Sequence, residues 1–155
     1  MTSLIDYAIV NMLVERYERV GQEYAKLPVC GLFALAFLSG VPFETCRENY
    51  RQSNNKPSSW KGRTHYLLLL SELDRLNVKY TKETWGKKRS LASFVRADAL
   101  LDEQGTYFVR TGNHFMVIHK GYSIDQAGVH TIIDNNYMCR RRISHMVRIH
   151  SPILK

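Results

Sequence analysis

The sequence predicts an α+β fold, and three observations predict it. Through roughly the first hundred residues, apolar side chains recur at three- and four-residue steps, the repeat of helices buried on one side. From Gly105 onward the repeat changes to two, the alternation of strands in a sheet. Within the helical part, residues 27–40 are apolar nearly all round, so that helix has no wet face and needs cover on every side. Together these give a single domain over 1–155: a mainly helical part, 1–103, whose central buried helix packs on an antiparallel β part, 104–155. A chain of 155 residues that is 45% apolar and 23% charged can build such a core without disulfide or metal staples.

The elements follow in chain order. Leu4, Ile5, Ala8, Ile9, Met12, Leu13, Tyr17 and Val20 line one face of an amphipathic helix within residues 3–25, ending near Gly21. Pro28 marks the start of the apolar helix, and Gly40 with Pro42 behind it marks the stop. Residues 42–52 give a short polar helix, 53–59 a surface loop by composition, and Trp60 anchors the chain's return. Thr64 can cap a helix over 65–76, with its leucines in the core and Asn77 as its stop; residues 78–80 then extend. Ser90 can cap a helix over 91–101 with Leu91, Phe94, Val95 and Ala99 on its apolar side, although Asp98 falls where the pattern wants another apolar residue. Residues 106–110 and 114–119 form a hairpin about Gly112-Asn113, Lys120-Gly121 makes the next turn, 122–125 the third strand and 141–150 the last. The β part is therefore expected to be an antiparallel meander.

The net charge of +8 favours polyanionic or acidic partners. Basic residues gather at Lys82, Lys87, Lys88 and Arg89, and again at Arg140, Arg141, Arg142, Arg148 and Lys155; Lys87, Lys88 and the Arg140–Arg142 run are the candidates for contact with nucleic acid or a protein partner. The first residues lack a basic leader, and Asp6, Asn11, Glu15 and Arg16 interrupt their apolar stretch. Neither a signal peptide nor a membrane span is expected, and the reducing cytoplasm is the expected compartment. Cys30, Cys46 and Cys139 form an odd set without a CxxC pair, which argues against a disulfide framework and a zinc knuckle. No HExxH or comparable ligand spacing accompanies the histidines, so neither metal nor cofactor is expected.

One constellation proposes a chemistry. Cys30 sits in the first turn of the apolar helix, where unpaired N–H groups and the positive end of the helix dipole favour thiolate over thiol. A two-residue turn at Lys120-Gly121 pairs His119 with Tyr122, Ile118 with Ser123 and Val117 with Ile124, which puts His114, Met116, Ser123 and Asp125 on one face of the sheet. His114 then lies diagonally beside Asp125, about 7 Å between backbones and within reach of the side chains. A three-residue turn would put Asp125 on the other face. In the two-residue register Asp125 accepts one imidazole N–H and leaves the other ring nitrogen for Cys30, which makes a cysteine nucleophile with its base. His119 falls on the opposite face, and His65, His130, His145 and His150 have no carboxylate at a useful spacing.

The segments Cys30-Gly31-x-x-Ala34-Leu35, Gly105-Thr106-Tyr107-Phe108-Val109, His114-Phe115-Met116-Val117 and Gly121-Tyr122-x-Ile124-Asp125, in the order Cys, His, Asp, resemble papain-like cysteine peptidases. The style is similar to the bacteriocin-processing branch and to small phage-encoded proteins of that fold. The resemblance implies a papain-like fold and a thiol-dependent peptidase, isopeptidase or amidase with a Cys30–His114–Asp125 triad. It also implies a protein or peptide substrate, acidic by complementarity with the basic surface, met in the cytoplasm of an infected host cell. The family places a glutamine about six residues before its nucleophile as an oxyanion donor, whereas position 24 here is Tyr24. Gln22, Tyr24 and Asn113 are the candidates for that role beside the Cys30 backbone N–H. The alternative is a papain-fold module without turnover that binds nucleic acid or a host protein through its basic surface.

Overall fold

The computed structural model describes residues 28–101 and 104–150. The helix expected within residues 3–25, with Gln22 and Tyr24, lies outside the described residues. Among those described, the chain forms four helices and one six-stranded antiparallel sheet, an α+β architecture.

Helix α1 (Cys30–Ser39) is buried at every position from Cys30 to Leu38. Gly40 closes it at φ 74°, donating its N–H to the Ala36 carbonyl at 2.9 Å, a left-handed stop that suits glycine. Regular helix begins at Cys30, two residues after Pro28, and the N-cap Val29 has no side chain able to satisfy the first N–H groups. Helix α2 (Phe43–Ser53) buries Phe43, Cys46 and Tyr50. Trp60 brings the surface loop back by stacking on Tyr50, with ring centroids 5.2 Å apart, while its carbonyl accepts from Arg47 Nη2 at 2.8 Å.

Helix α3 (Tyr66–Arg75) corrects the expected cap: His65, not Thr64, satisfies its start, with Nδ1 accepting the Leu67 N–H at 3.3 Å. The Thr64 side chain is instead pressed against α1, so the next residue takes the capping role. Asn77 takes φ 62° just beyond the helix. Strand β1 (Tyr80–Lys82) follows. Helix α4 (Leu91–Ala99) has the expected Ser90 cap, whose hydroxyl accepts from the Ser93 N–H at 3.2 Å. The polar exception on its apolar side also finds its explanation. Asp98 is 1% exposed and accepts from the Tyr107 hydroxyl at 2.6 Å and the Gly105 N–H at 3.3 Å, while burial raises its pKa. It is a buried polar group with its partners supplied.

The remaining strands are β2 (Thr106–Thr111), β3 (His114–His119), β4 (Tyr122–Asp125), β5 (Gly128–Thr131) and β6 (His145–Ile149), in the spatial order β1-β6-β2-β3-β4-β5. The expected simple meander is corrected in two ways. Only β2 to β5 meander, and they include β5, a strand with no counterpart among the expected elements. Strand β6 returns to pair with the far edge of β2, and β1, from the helical part, pairs with β6. A meander alone would leave the buried strand β2 with an open ladder; β6 closes it. Residues 141–143 fall outside the last strand because their backbone bonds go to the start of α4 and the segment before it: Leu91 N–H to the Arg141 carbonyl and Lys88 N–H to the Ile143 carbonyl, both at 2.8 Å.

Both faces of the sheet are covered. On one, α1, α2 and α3 share a core with Phe108, Phe115, Val117, Ile124, Val147 and Ile149. On the other, Leu91, Phe94 and Val95 of α4 pack with Tyr107, Val109, Met116, Ile118 and Met146. Among the described residues no helix is long and apolar enough to cross a membrane.

Candidate active site

Two tight turns set the geometry. Gly112, at φ 58°, opens a two-residue turn that pairs Thr111 with His114. Lys120 and Gly121, at φ 47° and 86°, both occupy the left-handed region, as a two-residue turn matched to the strand twist requires. The β3–β4 register is His119 with Tyr122, Ile118 with Ser123 and Val117 with Ile124, as hairpin arithmetic predicts. His114 and Asp125 therefore share a face, and His114 Nε2–H donates to Asp125 Oδ2 at 2.8 Å. Asp125 is 5% exposed, and its Oδ1 accepts the Ala127 N–H at 2.8 Å, so both oxygens are held.

Cys30 reaches this pair from the other side of the sheet. Its helix packs on the face of Phe115 and Val117, whereas His114 points to the opposite face. They meet because β3 outruns β4. The β3–β4 ladder stops at Val117 and Ile124, so the Phe115 N–H lies beyond the last pair and donates to Cys30 Sγ at 3.4 Å. The thiol thus lies at the open corner of the sheet, near enough to the His114 side chain for each to shift the other's pKa; Asp125 holds Nε2, which leaves Nδ1 as the ring nitrogen available to the sulfur.

The electrostatics follow from these contacts. Burial raises the Cys30 pKa, but the His114 hydrogen bond, the Phe115 N–H, the imidazole charge and the Gly31 N–H outweigh it and leave the thiol below its ordinary value. The Asp125 carboxylate, and then the Cys30 sulfur, push His114 up to about 9 against the effect of burial. Both shifts favour the thiolate–imidazolium pair over the neutral pair. Gly31 makes the approach of helices possible: a Cβ there would meet Thr64 Oγ1 at 2.1 Å and Leu69 Cδ1 at 2.8 Å.

A cleft of about 700 Å³ opens beside His114 and Asp125, with Thr111, Asn113, Arg141 and Arg142 among its lining residues. Of the oxyanion candidates, Asn113 lies in the turn next to His114 on this cleft, and Gln22 and Tyr24 lie outside the described residues. Among the described residues the Cys30 backbone N–H, at the uncapped end of α1, has no acceptor. Of the basic candidates, Arg141 and Arg142 line the cleft and Lys88 adjoins it, its carbonyl accepting from Arg142 Nη1 at 2.7 Å. Lys87 and Arg140 are exposed and are not among the lining residues.

Sequence reasoning missed Thr111 and the segment Asn135–Met138. Thr111 had a signal, since the two-residue turn that orients His114 places Thr111 directly opposite it on the same face. Asp134-Asn135-Asn136 is a turn-forming run: Asn135 Oδ1 accepts the N–H groups of Tyr137 and Met138 at 3.0 Å, bending the chain along the cleft. The three cysteines are free thiols, and no group of three or more His, Cys, Asp or Glu among the described residues is arranged to hold a metal ion. No protein-family model, no curated protein and no solved structure matches the chain.

Proposed function

We propose that the chain is a thiol-dependent hydrolase of papain-like type that cleaves peptide, isopeptide or amide bonds through a thioester on Cys30. The supporting observation is that a buried cysteine with a lowered pKa shares its hydrogen-bonding histidine with a held carboxylate. In the reaction, the Cys30 thiolate attacks the substrate carbonyl carbon and the carbonyl electrons move to oxygen. In this reading the Cys30 N–H at the start of α1 stabilises that oxyanion, with Asn113, in the turn next to His114, as the candidate second donor. Collapse of the tetrahedral adduct breaks the C–N bond as His114 gives its proton to the leaving amine, leaving a thioester and neutral imidazole. Water, deprotonated by His114, then attacks the thioester; the acid product leaves and Cys30 thiolate with His114 imidazolium is regenerated. Asp125 holds the ring orientation throughout and stabilises the imidazolium.

The direct test is to trap the acyl-enzyme. Incubation with a peptidyl p-nitrophenyl ester, acid quench and intact-mass measurement should show one acyl group, mapped to Cys30, and none on Cys30→Ala. Equal acylation of the two proteins overturns the proposal. A second reading, a module without turnover that binds nucleic acid, draws on Arg141 and Arg142 lining the cleft, with the Lys88 backbone bonded to Arg142. Under it, Cys30→Ala retains full nucleic-acid affinity and no acyl-enzyme forms.

A further inference from the structure

The cleft beside His114 holds a charge that nothing in it neutralises. Asp125 is the one carboxylate among its lining residues, and both of its oxygens are engaged, by His114 and by the Ala127 N–H. Among the described residues neither Arg141 nor Arg142 has a carboxylate partner. Both guanidinium groups are nonetheless held in place. Arg142 is tethered through Nη1 to the Lys88 carbonyl at 2.7 Å, and Arg141 lies over the Tyr137 ring at 5.8 Å from its centroid. A guanidinium ordered by such contacts loses less entropy when it grips a carboxylate with two parallel hydrogen bonds.

A second, independent observation points to a ligand. Thr111 is 4% exposed, lines the same cleft, and its hydroxyl has no hydrogen-bond partner among the described residues. A buried hydroxyl left unpaired costs stability, and if the Thr111 side chain turns toward the cleft, a peptide carbonyl arriving there supplies the missing acceptor. Thr111 stands directly across from His114, so that acceptor would lie beside the reacting bond.

We infer that this cleft selects acidic polypeptide: a substrate with an aspartate or glutamate close to the scissile bond, its carboxylate held by Arg141 and Arg142 and its backbone by the Thr111 hydroxyl. The inference rests on the hydrolase proposal for the bond that is cut. Peptide rather than nucleic acid follows from the amide bond cut in the hydrolase proposal; Tyr137, exposed and with Arg141 over one face, is the ring on which a competing base would stack. The concave positive surface also concentrates an acidic substrate beside His114.

The test uses the full chain and a set of capped fluorogenic hexapeptides in which each position in turn is Asp, Asn or Lys. At one or two positions Asp should exceed Asn by about 10-fold or more in kcat/KM, and the preference should shrink as salt rises. Arg141→Ala and Arg142→Ala should each bring the Asp/Asn ratio towards one, while Arg142→Lys keeps part of it. The ratio is the readout, so a variant that merely folds less well lowers both rates and leaves it unchanged. Thr111→Val should lower kcat/KM for Asp and Asn peptides alike; an unchanged rate removes Thr111 from the inference.

A binding arm separates this inference from the hydrolase proposal. In the Cys30→Ala protein, a fluorescein-labelled Asp hexapeptide should bind about 10-fold more tightly than its Asn counterpart, and Arg141→Ala should erase the difference. If peptides are cleaved without regard to charge, the acidic selectivity is wrong and the hydrolase stands. If none is cleaved but the Asp peptide binds selectively, the selectivity stands and the hydrolase falls. If an oligothymidylate of about 20 nucleotides binds more tightly than the Asp peptide and displaces it, the cleft is a nucleic-acid site and the inference is overturned.

Discussion

Two cysteines in this protein are buried on neighbouring helices and have been pushed in opposite directions. Cys30, at the start of α1, is 9% exposed and has a lowered pKa; Cys46, in the middle of α2, is 1% exposed and has a pKa raised to about 11. Burial is the largest influence on both and raises both, so burial does not separate them. The strength of what opposes burial does. At Cys46 the Ser39 hydroxyl, 4.0 Å from the sulfur, lowers the pKa too little to offset burial, and the nearby Glu72 charge raises it further, while Sγ donates to the Val41 carbonyl at 3.7 Å. Cys30 Sγ instead accepts from the Phe115 N–H at 3.4 Å and bonds to the His114 imidazole, contacts that favour the anion. A buried thiol keeps or loses its proton according to whether the donors and positive charge around it outweigh its burial.

The largest expected effect is in alkylation. At pH 6, iodoacetamide should label Cys30 at least about 100-fold faster than Cys46, followed by peptide mapping, and His114→Ala should close most of that gap. Equal rates for the two thiols in the native protein would remove the distinction between them.

A smaller effect sharpens the role of the carboxylate. His114 at about 9 should give hydrolysis an alkaline limb near pH 9, where the imidazolium that protonates the leaving group is lost. Asp125→Asn should move that limb acidward by roughly one unit or more; an unmoved limb would show that Asp125 does not act on the imidazole. The same shift has a stability consequence. The folded pKa lies above the ordinary 6.5, so the contribution is fully present below pH 6.5 and is lost as pH rises through about 9. In a Cys30→Ser background, which removes the thiolate's share, thermal stability should fall between those pH values, by an amount of order 1–3 kcal/mol, and should stay nearly flat with Asp125→Asn added. Parallel profiles would overturn this.

The smallest effect concerns how Cys30 is brought to its place. Gly31→Ala puts a Cβ against Thr64 Oγ1 and Leu69 Cδ1, and should cost about 1–3 kcal/mol in urea unfolding, with slower Cys30 labelling as α1 backs away. Cys46→Ala, by contrast, should leave Cys30 labelling unchanged. Loss of Cys30 reactivity in that variant would mean that the two sites are coupled.

Much of this arrangement is legible in the chain. Pro28 and Gly40 bracket α1 to within two residues, because proline and glycine act through backbone dihedrals that need no tertiary partner. Lys120-Gly121 sets the β3–β4 register, and with it the His114–Asp125 pair, because a two-residue turn and strict alternation leave no freedom in which side chains share a face. Asp98 was legible as an exception on its helix, but not its partner, since Tyr107 reaches it only once α4 lies on the sheet. Strand β5, the return of β6 to β2 and the cap at His65 were not legible, because each is decided by which backbone groups remain unpaired after the rest has packed.

By itself, then, the sequence determined an apolar helix with Cys30 in its first turn and a hairpin that aligns His114 with Asp125, since both depend on local dihedral preferences and a period-two register. Only the tertiary structure decided that they meet. Cys30 and His114 belong to opposite faces of the sheet, and they come together because β3 runs past the end of β4 and leaves the Phe115 N–H to receive the sulfur. It also decided that Arg141 and Arg142 line a cleft beside the pair rather than extend the last strand, because residues 141–143 give their backbone bonds to the start of α4 and the segment before it.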